Sequence, residues 1–152
     1  MPHIHEKIDF TVEVFIVHKN KVLLRMHDKF KIWCSIGGHI ELDEDPVGAA
    51  IREVKEETGL DIEIPVQEMW EKEERFKPLA APRYLARHTV DDIHTHVILV
   101  YFAKASTDIL GESMNAHEQA NMRWVTKEEV ELMDLVPNIR FYAGEALKKL
   151  SS

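Results

Sequence analysis

Between Gly37 and Leu60 the chain reads GGHIELDEDPVGAAIREVKEETGL. Glu53, Glu56 and Glu57 fall at i, i+3 and i+4, with Glu44 ahead of them. On a helix this spacing brings Cβ atoms to roughly 5–6 Å of one another. At an effective dielectric near 20, each like-charged pair then repels by about 3 kcal/mol before salt screening. Arg52 can pair with Glu56 at i+4, and Lys55 adds a second cation, but neither is placed amid all three carboxylates. Crowded carboxylates suit a hard divalent cation, because Mg2+ commonly sits on a few carboxylates plus substrate phosphates. Taken alone, three acids are more often a solvated face, since charge runs are usually surface. A calcium loop starting at Asp43 fails: Val47 and Val54 occupy ligand positions, and Pro46 spoils the turn.

The glutamates need a helix to hold them, and the punctuation supplies one. Asp45 reads as N-cap, Pro46 as the first helical residue and Gly59 as the C-terminal cap, giving a helix over Pro46 to Thr58. Val47, Ala50, Ile51 and Val54 form its expected core stripe. Upstream, Phe10 to Val17 and Val22 to Met26 read as a hairpin turning at His18 to Lys21. Trp33 to Ile36 leads into Gly37-Gly38. Downstream, Ile62 to Trp70 is expected as an edge strand because of Pro65. Lys77 to His88, broken by Pro78 and Pro82, is expected as a loop. His96 to Ala103 is apolar on both faces and reads as a central strand. Gly111 to Ala120 reads as a polar loop and Met122 to Val125 as a short strand. Thr126 and Glu129 form a capping box, and Pro137 opens a last helix with Ile139, Ala143, Ala146 and Leu150 on one face. Strands interleaved with helices make the class mixed α/β.

Gly38, five residues, Glu44, seven residues, then Arg52-Glu53-Val54-Lys55-Glu56-Glu57-Thr58-Gly59-Leu60 fills each specified position of the Nudix signature. The chain therefore resembles the Nudix hydrolase family, and the order of elements around the box is similar over most of its length. The resemblance implies an α/β/α sandwich around a mixed β-sheet, with residues 1–152 as a single domain. It implies Mg2+- or Mn2+-dependent hydrolysis of a nucleoside diphosphate linked to another group. Residue by residue, it implies that Glu53, Glu56 and Glu57 hold the metal, with the Gly37 carbonyl as a further ligand. Arg52 would orient the glutamates, and Glu44 would support them. Glu118 would be an extra metal ligand or the general base, a role open also to Glu56 and Glu57. The family often reads Leu-Pro-Gly-Gly before the box; here it is Ser35-Ile36-Gly37-Gly38.

Around the box, Arg25 is a candidate cation against substrate phosphate. From Arg75 to Val90 there is no acidic residue, while Arg75, Lys77, Arg83 and Arg87 are all present. With Tyr84, this stretch is a candidate substrate reader: Arg83 and Arg87 for phosphate, Tyr84 for stacking a base. His94 and His96 share a strand face, but no partner ligand is visible in the sequence, so they are read as strand residues. Trp33, Trp70 and Trp124 are read as packing, and Cys34 as a small buried hydrophobe.

The bulk numbers bound the rest. A chain of 152 residues with 45% hydrophobic content supports one core-bearing domain. A net charge of −8 gives no general attraction for a polyanion, so no nucleic-acid polymer is expected as partner. Cys34 is the lone cysteine and excludes an internal disulfide. The start, MPHIHEKIDF, has no apolar leader, and no apolar run approaches ~20 residues, so a cytoplasmic protein away from membranes is expected. A homodimer stays open. The family's NADH-type motif after the box is missing, as is the extra N-terminal region common in ADP-ribose hydrolases. The expected substrate is thus a nucleoside triphosphate or similar small nucleotide. ADP-ribose, dinucleotide polyphosphates and a non-catalytic nucleotide-sensing domain are the alternatives.

Overall fold

The computed structural model describes residues 7–112 and 114–151. Residues 1–6, over which no leader is expected, lie outside the described residues. In chain order the elements are β1 (Ile8–His18), β2 (Lys21–Met26), β3 (Trp33–Cys34), β4 (Ile36–His39), α1 (Pro46–Thr58), β5 (Ile62–Glu63), β6 (Tyr84–Thr89) and β7 (Thr95–Ala105). They continue with α2 (Ala116–Ala120), β8 (Met122–Thr126), α3 (Lys127–Leu132) and α4 (Pro137–Leu150). No helix among the described residues is long and apolar enough to cross a membrane.

One mixed sheet carries all the strands. Its path runs β3-β2-β1-β7-β5, with β4 on β1, β6 on β7 and β8 on β2. β1 and β7 run parallel from Ile8↔Thr95 to Val17↔Lys104, and the other pairs are antiparallel. β1 changes partner along its length. Thr11 to Val14 pair with β4, whereas Val17 and His18 pair with β2. The sheet therefore forks on that side of β1, just where Gly37 enters.

Alternation along β1 and β7 sends side chains to two separate cores. Phe15, Val17, Val100 and Phe102 pack with Val130, Ile139, Tyr142, Ala143, Ala146 and Leu150 under α3 and α4. Val12, Val14, Ile16, Tyr101 and Ala103 pack with Ala49, Ala50 and Val54 under α1. This is the helix–sheet–helix layering the resemblance implies. The α4 face is buried as expected, with Tyr142 and Leu147 added. The α1 face is turned from the expected stripe. Ile51 is exposed, while Ala49 and Glu53 are buried, because the helix also presses a carboxylate against β4.

Three element expectations need correction. The strand expected over Ile62 to Trp70 ends at Glu63, one residue ahead of Ile64-Pro65, and Trp70 is exposed rather than packed. The loop expected over Lys77 to His88 contains β6 in its second half. Tyr84 to Thr89 pair with Val100 to Thr95; Pro78 and Pro82, which suggest a loop, both precede this ladder. The polar loop expected over Gly111 to Ala120 ends in the short helix α2, where Asn115 and Glu118 form a reciprocal capping box.

The end of α1 is a test of backbone conformation. Gly59 has φ 75°, and a Cβ there would lie 2.5 Å from the Gly111 Cα. Gly144 in α4 has open space around it. Gly59→Ala is expected to cost at least about 1–2 kcal/mol, the left-handed penalty alone. Gly144→Ala should gain about 0.5–1 kcal/mol. Thermal unfolding of both variants checks the pair: Tm should fall by several degrees in the first and rise slightly in the second.

Candidate active site

Local chemistry defines both ends of α1. Asp45 accepts a hydrogen bond from the Gly48 N–H at 2.8 Å, and the Gly59 N–H donates to the Lys55 carbonyl. With the helix ends set, the acidic face is aimed by one side chain. The Arg52 guanidinium grips Glu44 through two parallel contacts, Nη2 to Oε1 at 2.6 Å and Nε to Oε2 at 2.9 Å. It also donates to the His39 carbonyl at 3.0 Å, Glu53 Oε1 at 3.1 Å and Glu56 Oε2 at 3.2 Å. Arg52 therefore stands among more of the acids than its spacing on α1 suggests, because Glu44 is folded back onto it. The pairing holds the Glu44 carboxyl below its ordinary range and pushes the guanidinium above its own.

Each glutamate meets a different surrounding. Glu53 is 4% exposed and lies over Gly38, where an added Cβ would meet its carboxylate at 2.3–2.9 Å. Burial raises its pKa, and Arg52 opposes that. Glu57 accepts from the Gly37 N–H at 3.3 Å. Burial drives its carboxyl to about 7, against the nearby charge of Arg25. Glu56 faces solvent.

The donor set passes a test for a hard cation on this structure's own features. Two desolvated carboxylates and a third exposed one converge beside a glycine backbone. The room in front of Gly38 exists only because a Cβ is missing. Glu53, Glu56, Glu57 and the Gly37 carbonyl are oxygen donors of the kind Mg2+ or Mn2+ takes. Glu118 reaches the same place: it lines a cavity of about 220 Å3 with Arg25, Glu56, Glu57, Asp28 and Asn121. Its carboxylate is held by the Asn115 N–H at 3.0 Å.

A groove of about 380 Å3 continues from this cavity over the sheet. Thr11, Glu13, Arg25, Cys34, Gly37, His39, His88 and His96 line it, mostly from β1, β2, β4, β6 and β7. Arg25 is the expected cation beside the glutamates, and its Nε is buried with no hydrogen-bond partner among the described residues. Cys34 is half-buried in the groove wall, donates to the Arg25 carbonyl and is pushed up by burial.

The remaining candidates are not brought to the glutamates. The Tyr84 ring packs on Phe102, Phe141 and Tyr142, and its hydroxyl donates to Glu145 at 3.2 Å. Arg83 and Arg87 alternate with Tyr84 and His88, so they emerge on the sheet face away from the groove. Two residues went unread in the sequence: Glu13, which lines the groove, and Asp9, which is buried beside it. Glu13 interrupts an apolar strand, which was a usable signal. Asp9 gave none, because its neighbours come from far along the chain.

These features fit a hydrolase site that would take a divalent cation on carboxylates at a strand–helix junction. Comparison with known proteins makes the assignment specific. A family model described as the NUDIX domain matches residues 9–146, and the chain belongs to the Nudix hydrolase family. Nudix hydrolases generally use a divalent metal. A solved NUDIX-family hydrolase from Clostridium perfringens is 32% identical, with a TM-score of 0.80, covering 94% of this chain and 98% of that one. The Ap4A hydrolase of C. elegans shares the fold at 21% identity and a TM-score of 0.60, covering 93% and 95% of the two chains. The m7GpppN-mRNA hydrolase NUDT17 of Xenopus laevis is 34% identical over 92 residues, 55% of this chain and 30% of that protein. The chain thus spans well under half of that relative's length.

Glu13 gives a pH prediction. Burial lifts its carboxyl from an ordinary value near 4.5 to about 7, and its Oε2 has no hydrogen-bond partner among the described residues. The folded state therefore holds this proton over a range where the unfolded state has released it. Stability from this group is full below about pH 4.5 and is lost as pH rises through about 7. In EDTA at pH 8, Glu13→Gln is expected to be more stable than the parent by about 1–3 kcal/mol. At pH 4.5 the two should coincide. Denaturant titrations at both pH values measure the difference.

Proposed function

We propose that this enzyme hydrolyses the diphosphate linkage of a small nucleotide in a Mg2+- or Mn2+-dependent reaction, with nucleoside triphosphates as the leading substrate class. The observation that supports this reading is the meeting of Glu53, Glu57, Gly37 and Arg25 at the sheet fork. There, Glu56, Glu57 and Glu118 line one cavity with Arg25, and Glu57 accepts from the Gly37 N–H.

Glu53, Glu56, Glu57 and the Gly37 carbonyl would hold the cation, with Glu118 as a further ligand. When bound, the cation neutralises the diphosphate and favours attack by water on phosphorus. The chain's own part is positioning and charge. Arg52, itself held by Glu44, fixes Glu53 and Glu56 directly. Arg25 draws a phosphate oxygen into the cavity as a charge-assisted donor. Glu56, Glu57 or Glu118 takes the proton from the attacking water. The whole chain, 1–152, is read as one such domain acting in the cytoplasm.

The likeness to a cap hydrolase favours a second reading, in which the substrate is a dinucleotide polyphosphate of the cap type. The long groove running from Arg25 to His88 and His96 has room for a second group beyond the diphosphate. Product analysis on nucleoside triphosphates, ADP-ribose, dinucleotide polyphosphates and a cap analogue with Mg2+ separates the readings. A ranking led by triphosphates supports the first, and one led by the cap analogue supports the second.

Two variants test the site itself. Glu57→Gln keeps size and the Gly37 contact while removing a charge. It is expected to lower turnover at least about 100-fold, the scale of losing one preorganised electrostatic group. Circular dichroism should show an unchanged fold, and parent-level turnover would remove Glu57 from the site. Arg25→Ala should raise KM by the equivalent of about 1.5–3 kcal/mol, the worth of a hydrogen bond to a charged group. Steady-state kinetics at saturating Mg2+ reads that shift.

A further inference from the structure

At the starts of β1 and β7 lies a second cluster with a different chemistry, which borders the groove through His96 and His39. Asp9, at the start of β1, is 1% exposed, and His94, just before β7, is 3% exposed. His94 Nε2 lies 3.2 Å from Asp9 Oδ2, and His39 Nε2, at the end of β4, lies 3.4 Å from the same oxygen. His96 is opposite Asp9 in the parallel ladder. Donor atoms of Asp9, His94 and His96 all fall within 4.8 Å of one another. The ring of His96 is 5.0 Å from that of His94, 5.1 Å from that of His39 and 6.1 Å from that of His88.

We propose that Asp9, His94 and His96 form a binding site for a borderline transition-metal dication of the Zn2+ class, separate from the carboxylate site on α1. Three observations carry it. First, the donor set is two imidazoles and one carboxylate, which suits Zn2+ and its neighbours rather than Mg2+. Second, the spacing fits. Ligand bonds of about 2.0–2.1 Å set tetrahedral donor–donor edges of roughly 3.3–3.4 Å, and the Asp9–His94 separation of 3.2 Å is already close to that. The His96 donor lies within 4.8 Å of the other two. Third, the scaffold is rigid. The two ends of the site sit on β1 and β7, which pair over ten consecutive positions.

His39 lies outside the mutual set but touches the same Asp9 oxygen, the place of a group that orients a ligating carboxylate. His39 and His96 also line the groove, so a metal held by this cluster would border the space a substrate would occupy. A metal here would tie the starts of β1 and β7 to the end of β4. It would also present a Lewis-acidic position to the end of a ligand away from the glutamates.

The test uses the full chain, stripped with a chelator and returned to buffer with excess Mg2+ so that the box is saturated. Zn2+ is titrated by calorimetry, and bound metal is counted by mass spectrometry after gel filtration. Co2+ replaces Zn2+ for a visible absorption spectrum of nitrogen and oxygen ligation. One equivalent of Zn2+ should bind to the parent and to Glu57→Gln, with a Tm that rises with Zn2+ concentration. Asp9→Asn and His94→Gln should lose it. Because both are buried and could disturb folding, His96→Gln, at a half-buried position, is the deciding variant, and its Co2+ spectrum should lose intensity. No Zn2+ equivalent in the presence of Mg2+ would overturn the proposal. So would an equivalent that survives in His96→Gln, or one lost in Glu57→Gln.

Discussion

Three carboxylates on successive turns of one helix repel one another, and the arrangement of the whole site follows from how that repulsion is contained. Arg52 does most of the work. Its guanidinium takes Glu44 as a bidentate partner and the His39 carbonyl as an anchor, then spends its remaining donors on Glu53 and Glu56. The loop between β4 and α1, the end of β4 and the helix face are thereby joined at one charge. A lysine could not do this, since it offers a point charge and no planar fork. Glu57 lies beyond this clamp. It relies on a backbone N–H and the more distant Arg25, and its carboxyl is correspondingly the one lifted to about 7.

The sheet makes the second half of the site. If β1 kept a single neighbour on that side, α1 and the groove would lie on opposite faces with a closed sheet between them. Instead β1 passes from β4 to β2, and the gap lets Glu57, Gly37 and Arg25 meet. Gly37 and Gly38 are required by close approach there. A Cβ on Gly37 would collide with the Val12 carbonyl, and one on Gly38 with the Glu53 carboxylate. The two cores hold this opening from both sides, α1 on one and α3 with α4 on the other. The groove occupies the part of the sheet that α4 leaves bare.

The same parallel pairing of β1 and β7 produces both the groove floor and the Asp9–His94–His96 cluster. A hard oxygen site at one end and the proposed imidazole-bearing site at the other would differ in donor chemistry: Mg2+ gains little from imidazole, whereas Zn2+ is drawn to it.

How much of this the sequence determined depends on the range of the interactions. Caps, helix period and box spacing act within about 25 residues, so α1, its ends, the glutamates and Arg52 were legible before any fold was known. So were the hairpin, the central strand and the apolar face of α4, each carried by a local pattern. What only the tertiary structure decided involves residues distant in sequence. β6 forms beyond the prolines that suggest a loop because β7 offers a ladder. That alternation turns Arg83 and Arg87 away from the groove, and Tyr84 is spent on packing against Phe141 and Tyr142. Glu118 reaches the glutamate cavity, and Asp9 reaches His94 and His96 across 85 and 87 residues of chain. No local pattern encodes such meetings. They follow from strand order and register, which are fixed only when both cores close.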